Sequence, residues 1–155
     1  MYKLSRTLLL CAAALVTMAG CASGPSYREM ATSIPTLAPQ NGRLYFFRSG
    51  SVIGAAVQPD IKLNGETVGE SKPGGFFYVD KPAGRYTVST ATETEKTLSL
   101  ALDVGETKYV RTSVSVGLAV GRVVPSLEDP AVGKTAIEGL NYAPLQSNGT
   151  GNQRQ

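Results

Sequence analysis

Histidine is absent from the 155-residue chain. That removes Ser-His-Asp and Cys-His nucleophilic arrangements, the commonest general base and most zinc sites. Cysteine is nearly absent. Cys11 and Cys21 are the two present, and both fall in the first 21 residues. No run of alternating Asp and Asn ligands of the EF-hand kind occurs. Gly74-Gly75 is not followed by a helical pattern, so it is not a phosphate loop. No basic patch marks a nucleic-acid surface. What remains for chemistry is carboxylate. Glu93 and Glu95 flank Thr94, and Asp103 and Glu106 lie around Gly105. Paired acids can cleave a glycosidic bond, and clustered acids can bind calcium. At strand ends and turns, however, solvated acids are the ordinary outcome. The expectation is a protein that is not an enzyme, with no catalytic, metal-binding or cofactor-binding residues.

What is present starts at the N-terminus. Lys3 and Arg6 precede Thr7 to Thr17 (TLLLCAAALVT), an uncharged and mostly apolar run. It is too short to cross a membrane, which takes about 20 apolar residues. Met18-Ala19-Gly20-Cys21 follows. The arrangement is that of a secretory signal peptide over residues 1–20. Its end resembles the lipobox of bacterial lipoproteins, an aliphatic residue and two small residues before cysteine, with Met18 in place of the usual leucine. Ordinary secretion with a free Cys21 and a retained anchor are the competing readings. The resemblance implies that Cys21 becomes the first residue, carrying a diacylglycerol thioether and an N-acyl chain such as palmitate. Membrane lipid is then the first partner. Ala22, rather than Asp, after the cysteine implies sorting to the outer membrane, facing the periplasm. Processing would also leave no free thiol, a safe state in an oxidising compartment. With Lys3 and Arg6 removed, 13 basic residues face 12 acidic ones, and the net charge falls from +3 to +1.

Residues 21–41 contain three prolines and many small polar residues, and read as a flexible tether, with a loop packed on the domain as the alternative. From Gly42 the texture changes. Arg43-Leu44-Tyr45-Phe46-Phe47-Arg48 predicts an aromatic strand with Leu44 and Phe46 on one face and Tyr45 and Phe47 on the other. Apolar residues on both faces suggest a central strand or one covered on its second side. Ile61 to Gly69 carries Asn64-Gly65, the signature of a two-residue type I′ hairpin turn. Phe76 to Val79 and Arg85 to Ala91 predict further strands. Lys96 to Val104 alternates, with Leu98, Leu100, Leu102 and Val104 on one face, as in a half-buried antiparallel strand. Thr107 to Val116 predicts the next strand, with Val110, Val114 and Val116 as core candidates. Val120 to Leu127 predicts a last one, interrupted by Pro125. Asp129-Pro130 suits a helix start over Ala131 to Glu138, weakened by Gly133. Gly117 to Gly121 has GxxxG spacing, which within a β-patterned stretch points to a bend or close strand approach. Residues 141–155 read as a disordered tail.

Seven or eight strands at roughly ten-residue spacing predict an all-β antiparallel sandwich over residues 42–140, with one short C-terminal helix. That length suffices for one core and not two.

The signal, the strand Arg43 to Arg48, Ile61 to Gly65 with Val68-Gly69, Phe76 to Val79 and Ala83 to Val88 together resemble a family of bacterial envelope lipoproteins, domain-of-unknown-function family 2846. The Asn-Gly strand and the Ala-Gly-x-Tyr-x-Val turn-strand are also similar to PEGA-type surface β-domains. Neither resemblance brings catalytic residues. The expectation is a lipid-anchored envelope module that binds a protein partner or serves as structure. The alternative is a glycan-binding module for peptidoglycan or polysaccharide. Tyr45, Phe47 and Tyr78 are the candidate ligand or partner surface, against the reading that aromatic strands are usually core.

Overall fold

A computed structural model describes residues 22–118 and 121–145. The signal peptide, Cys21 and the last part of the tail lie outside the described residues. The chain forms nine strands: β1 (Asn41–Arg48), β2 (Asp60–Leu63), β3 (Glu66–Glu70), β4 (Gly75–Pro82), β5 (Gly84–Ala91), β6 (Glu95–Leu102), β7 (Thr107–Ser115), β8 (Arg122–Glu128) and β9 (Asn141–Tyr142). Two short helices join them, α1 (Tyr27–Met30) and α2 (Pro130–Ile137), with a 3-10 turn at Ala31–Ser33.

The strands make two stacked sheets. One has the order β8-β7-β1-β4-β9 and the other β3-β2-β5-β6. This is the expected sandwich. Most strand pairs are antiparallel, but β1 pairs with β7 in parallel and β4 pairs with β9 in parallel. Between the sheets lie Leu44, Phe46, Ile61, Leu63, Phe77, Val88, Leu100, Leu102 and Val110. Phe46 and Phe77 face each other across β1 and β4 and stack, ring centroids 5.0 Å apart.

β1 is central and buried from Gly42 to Arg48. Its second face carries Tyr45 and Phe47. With Phe76, Tyr109, Ile137 and Leu140 they form a second core, against which Tyr27, Met30, Tyr78 and Tyr142 pack. The helices therefore cover the outer face of the five-stranded sheet. Asp129 caps α2 by accepting from the Ala131 and Val132 amides. Gly133, a liability for helix propensity, is where α2 crosses the sheet: a Cβ there would collide with the Tyr109 side chain.

The Asn64-Gly65 turn forms as expected, both residues at positive φ (51° and 86°). Asn64 also ties the turn to β5: its Oδ1 accepts from the Thr87 amide at 2.8 Å and its own amide donates to the Thr87 carbonyl. Pro125 does not interrupt β8, because β8 is an edge strand with β7 as its one partner, where a missing N–H can face away from the ladder.

Three expectations need correction. Val104 and Val116 are not core: they are 57% and 94% exposed, because pairing stops at Leu102 and Ser115 and the alternation runs on into turns. The tether reading does not describe residues 22–33. Ser26 and Glu29 form a capping box that starts α1. The Tyr27 ring packs edge-on against Tyr45 and Phe76 at 6.2 and 5.5 Å. The tail reading does not describe residues 141–143. Asn141 and Tyr142 add a strand to β4, and Ala143 is buried.

Candidate functional site

The aromatic candidates come together, but beneath the surface. Tyr45 and Phe47 are 5% and 2% exposed. Tyr45 stacks on Tyr109 at 5.3 Å and meets Tyr78 at 5.7 Å. Burial pushes the Tyr45 phenol up to about 12, with Tyr27 adding to the shift, and burial likewise raises Tyr109 and Tyr142. Tyr78 is half-buried, with the Arg43 guanidinium 4.7 Å from its ring centroid. Arg43 is itself committed. It forks onto Asp80 at 2.6 and 2.8 Å and donates to the Pro35 carbonyl at 2.8 Å. The hydrogen bond to Asp80 raises its pKa against the cost of burial. Tyr45 and Phe47 are therefore not a free surface. They are the core beneath the helices, and Arg43 covers Tyr78.

Of the acids noted in the sequence, Glu93 and Glu106 each tie a loop by accepting from a backbone amide. Glu93 accepts from the Leu118 amide at 2.9 Å and faces Arg122 at 3.5 Å. Glu106 accepts from the Asp103 amide at 2.9 Å and pairs with Lys108 at 2.8 Å. The Lys108 contact is the main cause that holds its carboxyl below the usual range. Among the described residues no group of three or more acids or cysteines could hold a metal ion.

Two surfaces remain, at opposite ends of the sandwich. β1 and β7 run in parallel toward one end and β4 leaves from it, Gly75 standing opposite Arg48. At that end Arg48, 3% exposed, has no acid partner among the described residues and donates to three carbonyls, Gly54, Val57 and Ser71, at 2.7 to 3.1 Å. Burial lowers its pKa, but a guanidinium keeps its charge at any physiological pH. Its role is to hold the segment 49–59 in place. Beside it a groove of about 330 Å³ is lined by Ser49, Ser51, Ile53, Arg111 and Val114 among others. Arg111 is paired with Glu128 at 2.7 Å. Four aliphatic side chains project into solvent at this end: Val52, Ile53, Val116 and Leu118. Val52 and Ile53 lie among Gly and Ser, which mark a loop, Val116 was expected in the core, and Leu118 falls within the GxxxG stretch. Their signal was an aliphatic residue at a loop tip.

The second surface is on the four-stranded sheet. β6 spans Glu95–Leu102 and is hydrogen-bonded to β5 alone. Near its C-terminal half a shallow depression of about 360 Å³ is bordered by Arg85, Tyr86, Thr87, Ser99, Leu100 and Ala101. Thr87 pairs with Ser99 and Arg85 with Ala101 across the strands.

The architecture is thus a two-sheet sandwich with a helical cover on one sheet. Within that class the chain belongs to the family described as protein of unknown function (DUF2846), which matches residues 38–124. It is 33% identical to an uncharacterized protein of Haemophilus influenzae over 139 residues, 88% of this chain and 79% of the relative. No solved structure matches. Among the described residues no helix is long and apolar enough to cross a membrane.

Proposed function

We propose that the chain is a lipid-anchored envelope lipoprotein of the outer membrane, facing the periplasm, and a non-catalytic interaction or structural module. The anchor is Cys21, acylated after removal of residues 1–20. The support for anchoring is the charged, apolar and small-residue order that ends in Cys21. The observation that carries the interaction reading is β6, eight residues long with one hydrogen-bonded neighbour. An edge strand of that length offers main-chain donors and acceptors for a partner strand. The depression at Arg85 and Ser99 would select its side chains. Anchoring raises the effective concentration of such a module near envelope partners. The glycan alternative has less to stand on. It wants solvent-facing aromatic rings, and Tyr45 and Phe47 are buried while Tyr78 lies under Arg43.

Two experiments test the reading. Cys21→Ser should move the chain from the membrane to the soluble fraction, and a variant still in the membrane fraction contradicts the anchor. A photo-crosslinker at Ser99 in living cells should give one discrete protein adduct. Peptidoglycan fragments at that position, or no adduct, would contradict the protein-interaction reading.

A further inference from the structure

The N-terminal end of the described chain is fixed to the domain. The Ala22 amide donates to the Pro73 carbonyl at 3.2 Å, and the Ala22 carbonyl accepts from the Asn141 side chain at 3.1 Å. The Ala22 methyl packs against Gly75 and the residue is 7% exposed. Cys21 is one peptide unit from this clamp, about 3.8 Å between Cα atoms. An anchor at Cys21 has no slack, so it fixes which end of the sandwich meets the bilayer.

That end is the one with the exposed aliphatics. Pro73 leads to Gly74, which lies beside Gly50. Gly50 opens the loop carrying Val52 and Ile53, 92% and 78% exposed. Gly54 closes its tip against the Val114 side chain, and Gly121 packs on the same valine. Between Val114 and Gly121 stand Val116 and Leu118, each 94% exposed. β7 also overhangs its neighbour. Arg111 is level with Phe47, and Ser115 lies four residues further on, about 13 Å at the usual rise of a strand. Neither Ser49 to Pro59 nor Ser113 to Gly121 contains a charged residue. Glu93 holds the second loop by its backbone, at the Leu118 amide, and leaves the Leu118 side chain outward.

We infer that Val52, Ile53, Val116 and Leu118 insert into the lipid surface beside the acylated Cys21, so that the domain sits directly on the bilayer with β6 and the Arg85 depression available to partners. Uncharged loops with aliphatic tips are what an acyl-chain boundary accepts, and a second apolar contact beside an acyl anchor strengthens membrane binding. The inference rests on the anchor reading above.

The test uses the full, natively processed chain in protein-free vesicles of phosphatidylethanolamine with a minority of phosphatidylglycerol. Thioether formation consumes the Cys21 thiol and Cys11 leaves with the signal. Ile53→Cys, Leu118→Cys and, at the opposite end, Asp103→Cys then each supply the single thiol for a nitroxide label. Collision with a water-soluble nickel complex should be several-fold weaker at 53 and 118 than at 103, and collision with oxygen stronger. Equal accessibility at all three overturns the inference. Protection that appears only in intact cells assigns the surface to a protein partner and overturns it. Protection that grows with the density of chain in the vesicle assigns it to a second copy and also overturns it. Intact mass separates the two claims. Lipidated chain with unprotected labels leaves the anchor standing and removes the docking. Chain without lipid removes both.

Discussion

The two faces of the five-stranded sheet are covered in different ways. Its inner face is buried by another sheet, and the residues there are chiefly aliphatic, with Phe46 and Phe77 stacked among them. Its outer face is aromatic and is buried by short helices near the two ends of the described chain, α1 on one side and α2 on the other. A sheet contributes a continuous layer of hydrogen-bonded backbone. Short helices have no such ladder. They are held by side chains such as Tyr27 and by single bonds such as Tyr27 N–H to the Leu140 carbonyl at 3.0 Å. Flat rings suit such a cover, since each presents a large apolar area while losing little side-chain freedom. Residues 22–33 and 141–143, at the two ends of the described chain, are therefore structural.

Substitutions can break that comparison at graded cost. Phe46→Ala removes a fully buried ring between the sheets and should destabilise by about 3–5 kcal/mol, seen as a large drop in the midpoint of denaturant unfolding. A loss no larger than that from an outer-face substitution would dissolve the distinction. Asn64→Val forces a β-branched residue to positive φ, at about 1–3 kcal/mol, and also removes the bond to Thr87. Hydrogen exchange should rise in β2, β3 and β5 and leave the helical cover unchanged. Unchanged thermal stability would remove the turn assignment. Tyr27→Ala takes two edge-on ring contacts from the outer cover and should cost about 1–2 kcal/mol. A residue in a loose tether would cost nothing, so unfolding midpoints of variant and parent decide between cover and tether.

The smallest effect is a pH dependence. Hydrogen bonds from the Ser26 amide and hydroxyl hold the Glu29 carboxyl below its ordinary value of 4.5. A depressed folded-state pKa means that the contribution is fully present above the unfolded value and is lost as pH falls through the folded one. Protection of α1 against exchange should therefore weaken below about pH 4.5, and Glu29→Gln should flatten that dependence. An unchanged profile in the variant would show that the capping box does not hold α1.

Much of this fold was legible in the chain. Apolar residues at successive positions from Leu44 to Phe47 announced a strand covered on both sides. Asn64-Gly65 and Asp129-Pro130 announced a turn and a helix start, because each needs a specific backbone geometry. Periodicity carries no information about partners, so the parallel pairing of β1 with β7 was not legible. Nor does it say where pairing stops, which is why Val104 and Val116 were placed inward. α1 is too short to show a period, although Ser26 and Glu29, three apart, were a capping signal that could have revealed it. The candidate site was less legible. Tyr45, Phe47 and Tyr78 do cluster, but whether a cluster is surface or core depends on what covers it. Here part of the cover came from Tyr27, Met30 and Tyr142, in segments read as tether and tail.

From Ala22 onward the chain is folded onto its domain. Amide hydrogen exchange of the full chain reads this out. Peptides covering residues 22–34 should be protected together with Asn141 and Tyr142, since the Ala22, Tyr27 and Met30 amides are all bonded. Exchange over 22–34 at the rate of an unstructured chain, with β1 still protected, would restore the tether and contradict the account.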